Sequence, residues 1–136
     1  NGAVTLAHGS PRDPTWEYVL NTLSARLNFD YFTTPFCFVG HAHLQCMFQL
    51  DEKRDRVSME VPPPGEAVEM TPRAIFNPGS VGQPRDRDPR ASYAIYNPIA
   101  RTWEPRRVEY DIPAVQARIR ELGMPEKHAA RIAEGW

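Results

Sequence analysis

Two histidines one residue apart close the apolar run Phe36-Cys37-Phe38-Val39-Gly40-His41-Ala42-His43. Neutral imidazole is the commonest metal-binding side chain. A His-x-His pair on a bent loop could therefore hold one ion, or splay and hold two. The same pair could be satisfied by hydrogen bonds at a strand end, and the pair alone does not separate these readings. A further histidine, His8, stands in His8-Gly9-Ser10-Pro11, again just past an apolar run, Ala3 to Ala7. Two such strand ends converge on one site if their strands lie side by side. A rival set, Cys37, His41, His43 and Cys46, could offer four donors to a structural zinc in a non-catalytic or regulatory module, although its spacing matches none of the usual zinc patterns. The plainer reading of the two cysteines is a pair of buried thiols in a reducing cytoplasm.

The third chemically unusual stretch is Asn77-Pro78-Gly79-Ser80-Val81-Gly82-Gln83-Pro84-Arg85-Asp86. Its glycines and prolines shape a backbone that can present N–H groups to an anion. Arg73, Arg85, Arg87 and Arg90 frame it, as solubilising charges or, if the loop faces the histidines, as guanidinium partners for an anionic substrate.

The elements that must position these loops follow from periodicity. Phe36 to Val39 is short, aromatic and β-branched, which predicts a strand covered on both faces, with Gly40 allowing a sharp turn into the histidines. Pro14, capped by Asp13, and apolar residues at Trp16, Val19, Leu20, Leu23 and Leu27 predict an amphipathic helix over 14–28, with Trp16 in the core. Residues 44–50 and 57–61 read as strands in a mainly antiparallel section. Residues 91–97 and 102–110 read as a hairpin turning at Asn97-Pro98 and solvated on one face. Residues 113–122 predict a helix with Val115, Ile119 and Leu122 inward, closed by Gly123. A last helix after Pro125 carries an exposed His128.

Composition narrows the function classes. The chain of 136 residues suits one domain with a real core. Its 16 Lys+Arg against 17 Asp+Glu leave a net charge of −1, so no charge balance points to nucleic acid or an anionic membrane. No apolar run approaches the ~20 residues needed to span a bilayer. Residue 1 is Asn and an interior-type strand is expected within three residues of it, so the chain reads as the carboxyl-terminal part of something longer.

Taken in order, the His8-Gly9-Ser10-Pro11, Gly40-His41-Ala42-His43 and Asn77-Pro78-Gly79-Ser80 loops resemble the carboxyl-terminal half of the calcineurin-like metallophosphoesterases, in their small bacterial and archaeal branch. The similarity runs from Ala3 to about Tyr110. It implies an α/β (mixed α+β) fold of two mixed sheets packed face to face and flanked by helices. Residues 1–112 would form half of the catalytic domain, and 113–136 a helical segment packed on it. It also implies a site for two divalent ions (manganese, iron or zinc), with His8 and His41 as ligands of the second metal and His43 of the first. The implied activity is hydrolysis of a small phosphoester, nucleotides included, by a metal-bridging hydroxide. Arg12 and Arg85 are the expected phosphate contacts. The family's upstream Asp-x-His, Gly-Asp and Gly-Asn-His-Asp/Glu elements have no match in these residues. Three histidines without a bridging carboxylate cannot hold two dications, so an upstream half of the domain is the implied partner and the 1–136 segment alone is expected to be inactive.

Overall fold

The computed structural model describes residues 4–136; Ala3, the expected start of the first strand, lies outside the described residues. The strands are β1 (Val4–Leu6), β2 (Phe36–Phe38), β3 (Gln45–Asp51), β4 (Arg56–Glu60), β5 (Val68–Glu69), β6 (Ala74–Pro78), β7 (Ala91–Asn97) and β8 (Thr102–Val108). The helices are α1 (Thr22–Asn28), α2 (Ile112–Glu121) and α3 (Glu126–Glu134). A mixed five-stranded sheet runs β1-β2-β6-β3-β4, and an antiparallel three-stranded sheet runs β5-β8-β7.

The short apolar strands β2 and β6 are covered on both faces, as their unbroken hydrophobicity requires, whereas β1, expected to be an interior strand, lies at the sheet edge with Leu6 76% exposed. Side chains alternate across the sheet. Cys37, Cys46, Phe48 and Ile75 therefore enter one cluster with Val19, Ala25 and Phe29 on the α1 side. Phe36, Met47, Ala74 and Phe76 enter another with Met70 and Trp103 between the two sheets. Phe76 packs 5.3 Å from Trp103, centroid to centroid, so the sheets meet ring on ring. Burying an aromatic of this size contributes roughly 1.5–3 kcal/mol.

The expected antiparallel section is present as β3 paired with β4 and β6, and β6, which no periodicity marked, lies parallel to β2 at the centre of the sheet. That insertion aligns the carboxyl ends of β1, β2 and β6. Between β4 and β6 the chain passes through β5 in the three-stranded sheet instead of turning tightly.

The helix expected over 14–28 is confined to α1. The Asp13 side chain accepts from the N–H groups of Thr15 and Trp16, which closes a local turn in place of a continuing helix. Asn21 then starts α1 with a reciprocal capping box to Ser24. Trp16, expected in the core, is 74% exposed, and Leu23 is 70% exposed, whereas Val19 is buried. The apolar spacing belonged to an irregular segment.

Two further expectations reverse in phase. In β8, Arg107 points inward, with its side chain 6% exposed, while Val108 is exposed. The α2 helix buries no residue, and Leu122 just after it is exposed, because α2 packs chiefly against α3. The Ala129 and Ile132 side chains of α3 are buried. His128 is half-buried on the same helix.

Candidate functional site

Three loops meet where β1, β2 and β6 end, and backbone bonds lace them together. Gly40 N–H donates to the His8 carbonyl at 2.9 Å, and the buried Asn77 amide donates to the Gly40 carbonyl at 2.8 Å. Arg85 N–H donates to the His43 carbonyl at 3.1 Å. Neighbouring parallel strands thus bring together residues far apart in the chain.

The sharp turn does not rest on Gly40. His41 and His43 themselves carry positive φ values of 47° and 58°, a region costly for side chains with a Cβ. Alternating left-handed residues turn the two rings away from the strand and towards the His8 loop.

His8 Nε2 lies 2.9 Å from His41 Nδ1, so one ring donates and the other accepts. His41 Nε2 is buried and has no hydrogen-bond partner, in either tautomer an unfulfilled polar atom. The His43 Nδ1 bonds the Gln83 carbonyl at 2.7 Å, which fixes its ring and leaves Nε2 for another role. Burial lowers the His43 pKa; the Gln83 carbonyl raises it, but the Arg85 charge lowers it further, and the net effect favours the neutral imidazole. Neutral imidazole is the form that binds metals.

The rival zinc set does not assemble. Cys37 and Cys46 lie in the apolar cluster beneath α1, where burial pushes each thiol up to about 12 and keeps it protonated. Among the described residues no group of three or more His, Cys, Asp or Glu side chains could hold a metal ion. The histidines fit the donor chemistry of a metal site, with His41 Nε2 as its unspent buried nitrogen, but carboxylate donors are missing from the group.

The arginines divide. Arg85 follows Gln83 and donates to its side chain at 3.0 Å beside the histidine loop. Arg12 is instead ion-paired to Glu17, which also accepts from Ser10 Oγ at 2.5 Å and Asn28 Nδ2 at 2.9 Å. Burial alone would raise the Glu17 pKa, but bonds from Arg12, Ser10 and Asn28 hold it down to about 2. Arg73 binds the Phe32 and Thr34 carbonyls at the opposite end of β6, Arg87 stacks on Trp136, and Arg90 pairs with Asp88. Of the four arginines framing the third loop, Arg85 alone is bonded to the histidine loop. Tyr18, which periodicity had assigned to a helix, stacks on His41 with ring centroids 4.1 Å apart, and Trp16 stands 6.4 Å from the same ring. No local signal marks Tyr18, since its position depends on the irregular 11–21 segment.

The chain is 49% identical to a metallophosphoesterase from Sphaerobacter thermophilus, whose crystal structure matches 100% of this chain and 56% of that one with a TM-score of 0.94. Over its whole length the chain is similar to a metallophosphoesterase, and it fits the carboxyl-terminal half of the calcineurin-like fold. Its motifs follow the order of the carboxyl-terminal half of that fold. An uncharacterized protein of Methanocaldococcus jannaschii is 33% identical over 134 residues, which are 97% of this chain and 51% of that protein. A hypothetical protein of Pyrococcus horikoshii OT3, 17% identical, shares the fold with a TM-score of 0.68 over 98% of this chain and 46% of its own. The chain thus spans about half the length of the relatives it matches. No family model matches it. No helix among the described residues is long and apolar enough to cross a membrane.

Proposed function

We propose that this chain supplies the histidine side of a metal-dependent phosphoester hydrolase. The observation that carries the reading is the His8–His41 contact at the ends of adjacent parallel strands, with His41 Nε2 buried and unpartnered. An electron-pair acceptor at that nitrogen would relieve the desolvation cost of about 1–3 kcal/mol that an unpaired buried group carries. His8, His41 and His43 would be the ligands, with carboxylate donors coming from an upstream half of the domain. Two divalent ions (manganese, iron or zinc) would activate water and neutralise phosphate oxygens when bound.

The chain's own residues do the positioning. His43 is held by Gln83, and Asn77 ties the β2 and β6 loops. Of the two arginines expected to meet phosphate, Arg85 is the better supported, because it stands beside the histidine loop with no carboxylate partner among the described ion pairs. Arg12 is committed to Glu17 and holds the His8 loop. Two free, protonated thiols favour a reducing compartment such as the cytoplasm.

The test compares residues 1–136 with the same chain extended upstream through its natural reading frame. Metal content is read by elemental mass spectrometry, and turnover with bis(p-nitrophenyl) phosphate. The extended chain is expected to bind two ions and hydrolyse the ester until a chelator is added, while 1–136 alone does neither. Metal-dependent turnover by 1–136 would overturn the half-site reading, and an inert extended chain would overturn the hydrolase.

A further inference from the structure

Beside the histidine loop lies a cleft of about 400 Å³ that the ligand chemistry above leaves unused. Its walls include Tyr18, Ala42, Leu44 and Trp136, with Arg85 and Arg131 bringing two guanidinium groups to the same space. Ala42 sits between His41 and His43, so the cleft opens directly alongside them.

The aromatic walls are presented, not incidental. Tyr18 is braced against His41 yet 42% exposed, and Trp136 is 49% exposed. The Arg87 guanidinium stands 4.7 Å from the centroid of the Trp136 ring. The backbone around Trp136 is fastened. Its N–H donates to the Arg131 carbonyl at 3.0 Å, and Arg87 N–H donates to the Gly135 carbonyl at 3.0 Å. Gly135 has a φ of +69°, and a Cβ there would stand 2.8 Å from Asp88 N, so no other residue fits this close approach without movement. The 87–88 segment and α3 therefore fix Trp136 opposite the histidine loop.

Neither Arg85 nor Arg131 is ion-paired among the described residues. Apolar and aromatic walls with two guanidinium groups that have no carboxylate partner match a planar ring that carries an anion. We propose that this cleft is a subsite for phosphoesters bearing a planar aromatic group, the ring resting between Tyr18 and Trp136 and the phosphate facing Arg85 and Arg131. The phosphate half of this assignment rests on the phosphoesterase reading; the ring half does not.

The test titrates the 1–136 chain with phenyl phosphate and with methyl phosphate in the presence of a chelator, followed by amide NMR shifts. Phenyl phosphate is expected to bind about tenfold more tightly, in line with one favourable ring contact plus burial of the ring. Trp136→Ala should abolish that preference, and Arg131→Gln should weaken both ligands by a similar factor while keeping the preference. Equal affinities, including no binding by either ester, or a preference untouched by Trp136→Ala, would overturn the proposal. Hydrolysis by the upstream-extended chain is scored apart, as the kcat/KM ratio of wild type to Trp136→Ala for each ester, so that leaving-group reactivity cancels. A binding preference without hydrolysis would leave the subsite standing and remove the phosphoesterase. Hydrolysis with the same ratio for both esters would do the reverse.

Discussion

Two polar clusters sit near the same end of the mixed sheet, and they are built to opposite rules. In the first, buried Gln45 donates to the carbonyls of Pro78 and Tyr93 at 3.1 and 2.9 Å and accepts from Arg107 Nε at 3.1 Å. The Arg107 guanidinium pairs with Asp86, which also accepts from Gln45 N–H. This cluster fastens β3, β8 and the third loop together, and its central amide and guanidinium are both engaged. In the second, His8 and His41 share one bond and leave His41 Nε2 with nothing. A satisfied network rigidifies a fold, whereas a nitrogen left unpaired in a buried position is a cost that calls for an explanation. Arg106 Nε and Tyr110 Oη are also buried without a partner, so the unpaired His41 nitrogen marks a site through its place where three loop ends converge.

The largest expected effect tests the scaffold half of this contrast. Arg107→Met removes one partner of a buried ion pair and leaves Asp86 uncompensated, so urea denaturation should show a loss of about 3–5 kcal/mol. A loss under about 1 kcal/mol would mean that the first cluster is not what joins the two sheets.

Glu17 sharpens the comparison through pH. Its folded pKa lies below the ordinary 4.5, at about 2, so the network holding the His8 loop contributes stability that is complete above pH 4.5. That stability is lost as pH falls from 4.5 through about 2. Wild type should exceed Glu17→Gln in urea midpoint at pH 7, with the gap narrowing steadily between pH 4.5 and 2. A gap that stays constant with pH would show that Glu17 is not held charged by its partners.

The smallest effect belongs to His41. Because its second nitrogen is already unpartnered, His41→Ala should change stability by no more than about 1 kcal/mol. If the same denaturation measurement gave a loss as large as that of Arg107→Met, the imidazole would be a structural member and the distinction between the clusters would fail.

What could be read beforehand followed from short-range chemistry. The apolar runs ending in His8 and in His41 and His43 announce strand ends, since an unbroken run of aromatic and β-branched residues suits a doubly covered strand. The hairpin at Asn97 is equally local, for its side chain accepts from the N–H groups of Ile99 and Ala100. The resemblance to the metallophosphoesterases followed from three motifs in a fixed order.

Other features were decided by distant partners. Val19, on the same spacing as the exposed Trp16, is buried only because the apolar cluster with Cys37, Cys46 and Ile75, remote in sequence, receives it. Arg107 looks like a surface residue until Asp86 and Gln45, remote in sequence, receive it.

The amino-acid sequence by itself determined the donors: which residues could bind a metal or an anion, and which strands deliver them. Only the tertiary structure decided their company. The insertion of β6 between β2 and β3 aligned three loop ends, and α3 folded back to set Trp136 across from Tyr18. The physical reason is that a hydrogen-bond or packing partner many residues away leaves no trace in local periodicity, since its free energy exists only once both segments are in place.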